Sequence, residues 1–393
     1  MWFDRNTHSL LREYLTLFPV IMLTGARQVG KTSLLLNAFP DVRYITLDDP
    51  FTAASAQDDP ERFLHSFEAP VIIDEAQYAP ALFRQLKINA DRMQRKGSYI
   101  LTGSQKFPLM QHATESLAGR IGIIELHPLS LAEIRSKTPD LAIEEYIVRG
   151  GYPALYGENI PPKAFYPSYV SSYLERDIRN MLHVQNLRDY SRFMRCLAMR
   201  SGQILSYSDV AKDVGIAPNT VKSWISILET SGLIVLIEGF HSNRNNRIIK
   251  SPKLYFNDTG LLLYLLGIES WTQLTASPLA GPVWETYCFA QILAAMTRLR
   301  IAPNRLFYWR TKDGKEVDFI IDRGDSLIAA ECRVKAMPDS SDERGLNAFI
   351  SANPDMKVLK AIICSSKGYL RKKAAGLIID NGTGIEKLLA EKV

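Results

Sequence analysis

One short segment near the amino terminus constrains the fold of this chain more than any other feature. Residues 25–32 read G-x-x-x-x-G-K-T, after the apolar run Val20-Ile21-Met22-Leu23 and before Ser33 and three leucines. A buried strand, a glycine loop and a helix start therefore follow one another. Glycines let the backbone curl so that its N–H groups and the helix N-terminus point at an anion. The segment predicts a loop that binds phosphate.

The residues of this loop predict a site for ATP and Mg²⁺. Lys31 adds a positive charge near the β- and γ-phosphates, and the hydroxyl of Thr32 is a ligand for Mg²⁺. The other predicted nucleotide contacts are Gly25, Gln28, Val29, Gly30 and Ser33.

A second apolar strand, Val71-Ile72-Ile73, ends in the two carboxylates Asp74 and Glu75. In P-loop enzymes the first acid holds the Mg²⁺ shell, and a following glutamate can polarise the attacking water. We therefore predict that Asp74 lies on the metal side with Thr32 and that Glu75 is the general base.

A third buried-strand pattern, from Tyr99 to Thr102, closes on small polar residues. Its position after the two phosphate-site motifs predicts that Ser104, or Thr102, contacts the γ-phosphate or the attacking water.

With these motifs in place, the chain resembles the bacterial and archaeal AAA+-type ATPases whose P-loop half precedes a conserved C-terminal half of unsettled function. The resemblance spans about residues 15 to 335. The matching segments are T-G-A-R-Q-V-G-K-T from Thr24, I-I-D-E-A-Q from Ile72, L-T-G-S from Leu101, L-A-G-R-I from Leu117, L-H-P-L-S from Leu126, R-G-G-Y-P from Arg149, Y-L-E-R-D from Tyr173, S-P-K-L-Y-F-N-D-T-G-L from Ser251 and E-V-D-F from Glu316.

The resemblance also implies roles for two arginines and a homo-oligomer. Arg120 lies where AAA+ subunits send an arginine into a neighbour's γ-phosphate; alternatively, it pairs with a nearby acid in its own chain. Arg149 either senses nucleotide from the lid or fixes the turn made by the glycines that follow it.

Composition and length favour a soluble, multidomain protein. Hydrophobic residues make up 46% and charged residues 23% of the 393 residues. No apolar run approaches the ~18 residues of a membrane span, no signal peptide is visible, and the four cysteines have no paired spacing. We therefore expect a cytoplasmic protein with no membrane partner. The net charge of +5 leaves a DNA partner open.

The predicted fold class is α/β, in four parts. Residues 1–135 form a P-loop NTPase core with a doubly wound parallel sheet, and 136–185 a helical lid or linker. Residues 186–257 form a winged helix-turn-helix, and 258–393 a restriction-endonuclease-like, PD-(D/E)xK-like α/β domain.

The helix-turn-helix pattern leaves the partner of the middle part open between DNA and protein. Its second helix, from Thr220 to Glu229, exposes only one positive charge, that of Lys222, although phosphate contacts supply most non-specific affinity. The helix is predicted to bury Val221, Trp224, Ile225 and Leu228. The predicted wing adds a basic cluster of Arg244, Arg247, Lys250 and Lys253.

The last part predicts a second, tentative site, formed by Glu285, Asp318, Glu331, Arg333 and Lys335. The order of its acids resembles that of nucleases in which carboxylates hold Mg²⁺ and a lysine positions the water. Here Arg333 replaces that lysine and cannot act as a base. Period-two alternation would place Lys335 on the same face of the strand as Arg333, from where it could substitute.

Three functions remain open at this point. The energy of ATP hydrolysis could move a C-terminal half linked to nucleic acid. The chain could instead be a nucleotide-gated signalling or defence switch with protein partners, or an ATP-regulated nuclease.

Overall fold

The structure, a computed structural model, describes residues 2–103, 116–174, 187–241, 251–367, 371–374 and 376–391. The chain forms two compact units. The first comprises Met1–Leu129, Tyr152–Glu158 and Ile227–Leu233, and the second comprises Ser130–Gly151, Asn159–Ser226 and Ile234–Val393.

A parallel sheet lies at the centre of the first unit. Its strands are Val20–Thr24 (β1), Arg43–Thr46 (β2), Val71–Asp74 (β3), Tyr99–Thr102 (β4) and Ile121–Glu125 (β5), in the order β2-β3-β4-β1-β5. Each neighbouring pair is parallel. Strands β1, β3 and β4 are buried throughout, which explains their continuous apolar sequences. The predicted parallel α/β fold of this part is confirmed.

Helices before, between and after these strands complete the first unit, and the sequence fixes where several of them begin. They are Thr7–Leu17, Lys31–Ala38, Pro50–Asp58, Pro60–His65, Ala81–Met93 and Pro153–Gly157, with a 3₁₀ turn at Ala76–Tyr78. The side chains of Asp49 and Asp59 each accept a backbone N–H in the first turn of a helix that starts with proline.

The helices beyond residue 130 are Leu131–Arg135, Ile143–Arg149, Pro162–Tyr169, Leu187–Ala198, Tyr207–Val214, Pro218–Thr230, Thr259–Leu266, Trp271–Thr275, Ala280–Arg298, Arg344–Ala352 and Ile385–Ala390. Short 3₁₀ helices lie at Pro303–Arg305 and Ser340–Glu343, and a π-helical turn lies at Val170–Leu174. The helical pattern predicted from Tyr166 to Leu182 thus begins earlier, at Pro162, and its last residues lie outside the described part of the chain.

A second sheet organises the second unit. Its strands are Gln203–Ile204 (β6), Ile234–Gly239 (β7), Lys253–Phe256 (β8), Leu306–Arg310 (β9), Glu316–Asp322 (β10), Leu327–Arg333 (β11), Val358–Cys364 (β12), Arg371–Ala374 (β13) and Leu377–Asp380 (β14). Their order is β13-β14-β12-β11-β10-β9-β7-β8-β6. The parallel pairing of β7 with β9 makes this sheet continuous across the predicted boundary at residue 257.

Helices cover this sheet through aromatic and aliphatic contacts. Leu346 and Phe349 pack with Val317 and Ile320 of β10 in one buried cluster. The ring of Phe289 stacks on Tyr255 of β8, with centroids 4.5 Å apart. That contact positions helix Ala280–Arg298, and hence Glu285, beside β8.

Helix Pro218–Thr230 presents the faces that its sequence predicts. Trp224 packs edge-on against Tyr190 and Phe193, with ring centroids 5.5 Å and 5.1 Å away. Val221, Trp224, Ile225 and Leu228 are buried, as predicted. Lys222 and Ser223 lie on the exposed side.

Among the described residues, no helix is both long and apolar enough to cross a lipid bilayer. Free thiols are found at Cys196, Cys288, Cys332 and Cys364.

Candidate functional site

The glycine loop runs from the end of β1 to helix Lys31–Ala38, and close packing explains its glycines. A Cβ atom on Gly25, which has φ +144°, would lie 2.2 Å from the carbonyl oxygen of Leu126. Gly30 precedes the helix in the left-handed region, at φ +92°. The guanidinium of Arg5 donates to the carbonyl oxygen of Val29 at 2.7 Å and holds the loop from outside. Gln28, within the loop, also has a positive φ, of +61°.

Lys31 points into this loop and is only 7% exposed. Its ammonium donates to the carbonyl oxygens of Gly25 and Ala26, at 3.0 Å and 2.9 Å. Burial lowers the pKa of Lys31 to about 8, although the nearby carboxylates of Glu75 and Asp74 oppose the shift. A phosphate in the loop would stabilise this ammonium, so the residue fits an anionic ligand.

Asp74, the last residue of β3, gathers three donors. One carboxylate oxygen accepts hydrogen bonds from the hydroxyl of Thr32, at 2.7 Å, and from the phenol of Tyr44, at 2.6 Å. The other oxygen accepts the backbone N–H of Glu75. Burial and the hydrogen bond to Asp74 raise the pKa of Tyr44. The structure therefore brings the two predicted Mg²⁺ ligands, Thr32 and Asp74, into direct contact.

Glu75 follows in the left-handed region, at φ +54°, and its side chain accepts a hydrogen bond from Gln77. Burial and the nearby charges of Glu75 and Asp74 raise the pKa of Asp48. Three carboxylates at the carboxyl ends of β2 and β3 therefore interact electrostatically.

Tyr44 and Asp48 are the residues of this site that sequence reasoning missed. Both flank the end of β2, and Tyr44 lies beside Ile72 of β3 in the sheet register. The order of strands in the sheet, which no local motif encodes, is the signal that would have found them.

The end of β4 adds a buried hydroxyl. Thr102 is fully buried, and its hydroxyl oxygen has no hydrogen-bond partner among the residues that the structure describes. An unsatisfied buried hydroxyl costs stability unless a ligand or water meets it. Ser104, the other predicted γ-phosphate contact, lies outside the described residues.

A pocket of about 220 Å³ adjoins the loop within the first unit. Gly30 and Ser33 line it on the loop side, and Phe3, Leu129 and Pro153 contribute apolar surface. The predicted contact residue Ser33 therefore faces a cavity next to the phosphate loop.

Arg120 precedes β5 and pairs with an acid of its own chain. Its Nε and one terminal nitrogen both bind the carboxylate of Asp91, which raises the pKa of Arg120 and lowers that of Asp91. In this structure Arg120 therefore pairs with an acid of its own chain, as one of the two interpretations of the sequence expects.

Arg149 ends helix Ile143–Arg149 in the second unit. Its guanidinium donates to the side-chain oxygen of Asn159 at 2.6 Å and lies 3.6 Å from a carboxylate oxygen of Glu145.

The second unit contains a separate cleft of about 920 Å³, which we call the carboxylate cleft. The predicted residues Glu285, Asp318, Glu331 and Arg333 line it, together with Lys253, Arg310, Lys315, Glu316 and Arg344. Helix Ala280–Arg298 and strands β8, β10 and β11 therefore meet at this cleft.

Lys253 is the residue of the carboxylate cleft that the sequence placed wrongly. It was expected among the basic residues of a wing, but its side chain is only 3% exposed and its ammonium lies 2.8 Å from Glu285 and 2.6 Å from Glu316. The reason is that β8 is an inner strand of the continuous sheet. The carboxylates raise the pKa of Lys253, against the effect of burial. Arg244, Arg247 and Lys250 lie outside the described residues.

Arg333 binds the other carboxylates of the cleft. Its three nitrogens lie 2.6 Å from Glu331, 3.5 Å from Asp318 and 3.2 Å from Asp342. Asp318 also accepts the backbone N–H of Cys332.

The expectation that Lys335 continues the strand face is wrong. Strand β11 ends at Arg333, so the period-two alternation stops there. The ammonium of Lys335 instead binds Asp339 and Asp342, at 2.9 Å and 2.6 Å. Lys335 does not line the carboxylate cleft.

Burial perturbs the acids of this cleft. Burial and the charge of Asp318 raise the pKa of Glu285 to about 7 and that of Glu331 to about 9. In the described part of the chain, no group of three or more His, Cys, Asp or Glu side chains is arranged to hold a metal ion. The acids of the cleft surround Lys253 and Arg333 instead.

Comparison with known families agrees with the geometry of the first unit. Residues 17–135 match the family described as "AAA domain". Residues 140–272 and 280–378 match two families that are each described as a domain of unknown function, DUF8612 and DUF4143. The fold and the loop together define an AAA-type P-loop ATPase domain.

Two relatives that match most of the chain are mycobacterial. The chain is 30% identical over 341 residues to "Uncharacterized protein Rv2008c" of Mycobacterium tuberculosis. The aligned residues make up 86% of this chain and 75% of that protein. It is equally similar to "Uncharacterized protein Mb2031c" of Mycobacterium bovis. The chain belongs to the family of these proteins. Among solved structures, the Walker-type ATPase PABY2304 of Pyrococcus abyssi is similar with a TM-score of 0.44 and 18% identity, covering 67% of this chain and 96% of that one.

Proposed function

We propose that this protein binds Mg-ATP in the glycine loop and hydrolyses it. The observation that carries the proposal is the contact between Thr32 and Asp74 beside the buried ammonium of Lys31. Lys31 and the loop N–H groups would hold the phosphates, with Gln28, Val29 and Ser33 around them. The pocket between Phe3, Leu129 and Pro153 would take the nucleoside.

Each residue around the phosphates has a separate role in hydrolysis. Thr32 and Asp74 would hold Mg²⁺, which when bound neutralises charge on the phosphate oxygens. Glu75 accepts a proton from the attacking water, whose oxygen bonds to the γ-phosphorus as the bond to the β-phosphate oxygen breaks. Thr102 or Ser104 orients the γ-phosphate. Arg120 of a neighbouring subunit stabilises the charge that develops there, and Arg149 senses nucleotide from the lid.

The test of this proposal is calorimetric titration of ATP and ADP into the folded protein. Wild type should bind in the presence of Mg²⁺, and Lys31→Ala should bind at least tenfold more weakly. Absence of binding to the folded wild type would contradict the proposal.

We further propose that hydrolysis moves a C-terminal half with nucleic-acid contacts, in a homo-oligomer. Helices Tyr207–Val214 and Pro218–Thr230 with the antiparallel pair β7–β8 support a winged helix over 186–257. Strands β9 to β14, which pair with one another in the second sheet, support a nuclease-like domain over 258–393. Residues 136–185 would be the lid. DNA should then raise ATP turnover, with a steep salt dependence.

One measurement separates this from a nucleotide-gated switch with protein partners. The ATPase rate is compared with and without DNA at two salt concentrations. A switch predicts very slow turnover, indifference to DNA and a change of oligomer size with nucleotide.

The carboxylate cleft supports a second candidate function, cation-dependent cleavage of nucleic acid. Glu331 carries it, because this carboxylate is 2% exposed and one of its oxygens has no hydrogen-bond partner among the described residues. Cutting of plasmid DNA with Mg²⁺ or Mn²⁺ should occur in wild type and disappear in Asp318→Ala.

A further inference from the structure

Two segments that lie far apart in the chain come together within the second unit, at Gly151 and Asp258. The carboxylate of Asp258 is only 4% exposed and accepts the backbone N–H of Gly151 at 2.6 Å. It also accepts the backbone N–H of Leu261, at 2.7 Å, in the first turn of helix Thr259–Leu266. Asp258 therefore fastens the turn at Gly151 to the start of a buried helix.

Tyr166 completes this contact from a third element. Its phenol oxygen lies 2.8 Å from a carboxylate oxygen of Asp258 and 2.8 Å from the carbonyl oxygen of Arg149. The packing around the phenol requires glycine on two sides, because a Cβ atom on Gly150 or on Gly260 would lie 2.1 Å from this oxygen. Such close packing restricts the turn to one position.

The chain passes from Gly151 into the first unit and returns to the second unit at Asn159. We call the stretch between them, Tyr152–Glu158, the pocket segment. It supplies part of the wall of the 220 Å³ pocket beside the phosphate loop, through Pro153, Ala154, Gly157 and Glu158. The ring of Tyr156 packs edge-on against Phe3, another residue of that wall, with centroids 6.2 Å apart.

The returning end of the pocket segment is also held within the second unit. The side chain of Asn159 accepts a hydrogen bond from the guanidinium of Arg149 at 2.6 Å. Asn159 has φ +54°, in the left-handed region that asparagine adopts more readily than most residues. Both ends of the pocket segment are thus fixed by side chains of the second unit, Gly151 by Asp258 and Asn159 by Arg149.

We propose that Asp258, Tyr166 and Arg149 form a clamp that positions the pocket segment for the nucleoside of ATP. This inference rests on the ATP binding proposed above and assigns part of that binding to residues of the second unit. Asp258 and Tyr166 are positioning residues, because they act through the backbone of Gly151 and Arg149. A binding segment that is fixed in advance loses less conformational entropy when the ligand binds, so the clamp strengthens binding.

The test is calorimetric titration of the full chain with Mg-ATP and with Mg-tripolyphosphate, which offers phosphates without a nucleoside. Tyr166→Phe removes the phenol oxygen, and Asn159→Gly removes the partner of Arg149 while tolerating the positive φ. Each variant should weaken ATP binding about tenfold, within the range of typical coupling between sites, and change tripolyphosphate binding by less than about twofold.

The matched control is Tyr287→Phe. It removes a buried phenol of the same unit, which donates to the carbonyl oxygen of Gly382 at 2.9 Å. This variant should lose stability, as Tyr166→Phe does, and keep the ATP affinity of wild type.

Steady-state kinetics provide a second measurement. The clamp variants should raise KM for ATP and retain kcat, because the lost interactions act on substrate binding alone. A merely structural role would instead reduce the fraction of folded enzyme, which lowers the apparent kcat and leaves KM unchanged.

The outcomes separate the clamp from the ATP binding on which it rests. If wild type binds ATP and both clamp variants bind it as tightly as Tyr287→Phe, the clamp is refuted and ATP binding stands. Equal weakening of ATP and tripolyphosphate binding would also refute the clamp, since the change would then lie at the phosphate loop. If folded wild type binds no ATP, both proposals are refuted. If Tyr166→Phe does not fold, Asn159→Gly decides, because Asn159 is exposed.

Discussion

The phenol of Tyr44 donates a 2.6 Å hydrogen bond to the same carboxylate oxygen of Asp74 that binds the hydroxyl of Thr32. The two donors come from different elements, since Tyr44 lies on β2 and Thr32 in the helix after the glycine loop. Asp74 is thereby oriented from both sides, which is how outer partners tune a metal ligand.

Tyr44→Phe should raise the Mg²⁺ concentration required for half-maximal ATP turnover about tenfold, because outer-shell partners of metal ligands typically contribute 10–100-fold. The measurement is turnover against free Mg²⁺ at saturating ATP. Tyr264→Phe removes the same atom in the second unit and serves as the control. An unchanged Mg²⁺ dependence would show that Tyr44 does not act on Asp74.

Glu75→Gln should retain ATP binding and lose turnover by at least about 100-fold, because an amide cannot accept the proton of the attacking water. Binding is measured by calorimetry and turnover by phosphate release. Asp41→Asn, which neutralises an exposed carboxylate outside the site, should retain most of the turnover. Equal hydrolysis by Glu75→Gln and wild type would refute the base assignment.

Arg120→Ala and Asp91→Ala break the same exposed ion pair and therefore separate the two roles of Arg120. If Arg120 completes a neighbour's site, Arg120→Ala lowers ATP turnover strongly, whereas Asp91→Ala retains or raises it by releasing the guanidinium. We expect this result, with similar small changes in Tm for both variants. Equal losses of turnover in both variants would assign a structural role to the pair.

Gly150→Ala should destabilise the second unit strongly. A Cβ atom there would lie 2.1 Å from the hydroxyl of Tyr166 and 2.6 Å from a carboxylate oxygen of Asp258. Gly215 is the control for these contacts, because it has the same φ of +83° and a Cβ atom there would have no neighbour within 4 Å; its ψ is 34°, against −176° at Gly150. Gly215→Ala should lose about 1 kcal/mol through backbone strain, and Gly150→Ala at least about 2 kcal/mol more. Thermal unfolding measures the stability of both variants. Equal losses of stability would show that the residues around Gly150 shift to accommodate the added methyl group.

Asp258 gives a pH dependence. Its buried carboxylate accepts hydrogen bonds from Gly151, Tyr166 and Leu261, yet burial raises its pKa overall. Because the pKa of this carboxyl group is higher in the folded than in the unfolded protein, Asp258 stabilises the fold fully at pH values below its ordinary pKa. This stabilisation is lost as pH rises through the raised pKa. The Tm advantage of wild type over Asp258→Asn should therefore be larger at pH 4 than at pH 7. A difference that is equal at both pH values would contradict this.

Local sequence predicted the parts of the site that are contiguous in the chain. The loop from Gly25 to Thr32 needs only a strand before it and a helix after it, and Asp74 and Glu75 follow directly from a buried strand. The carboxyl ends of parallel strands meet at one edge, so these motifs converge without further information. The apolar face of helix Pro218–Thr230 followed from helical period alone.

Residues that act through distant neighbours were missed for a physical reason. Lys253 reads as one more basic residue near a turn, and only the pairing of β7 with β9 turns it into a buried cation among acids. The prediction for Lys335 is wrong for a different reason. Strand β11 ends two residues before Lys335, so the strand alternation does not reach it.

The sequence by itself determined the phosphate loop, its acids and the parallel sheet that carries them, since these depend on short-range backbone geometry and hydrophobic period. The tertiary structure alone decided the partners of the charged groups: Tyr44 on Asp74, Asp91 on Arg120, and three carboxylates around Lys253. The partner of a charged side chain depends on strand order and on burial. Both are set by packing between segments that are far apart in the chain.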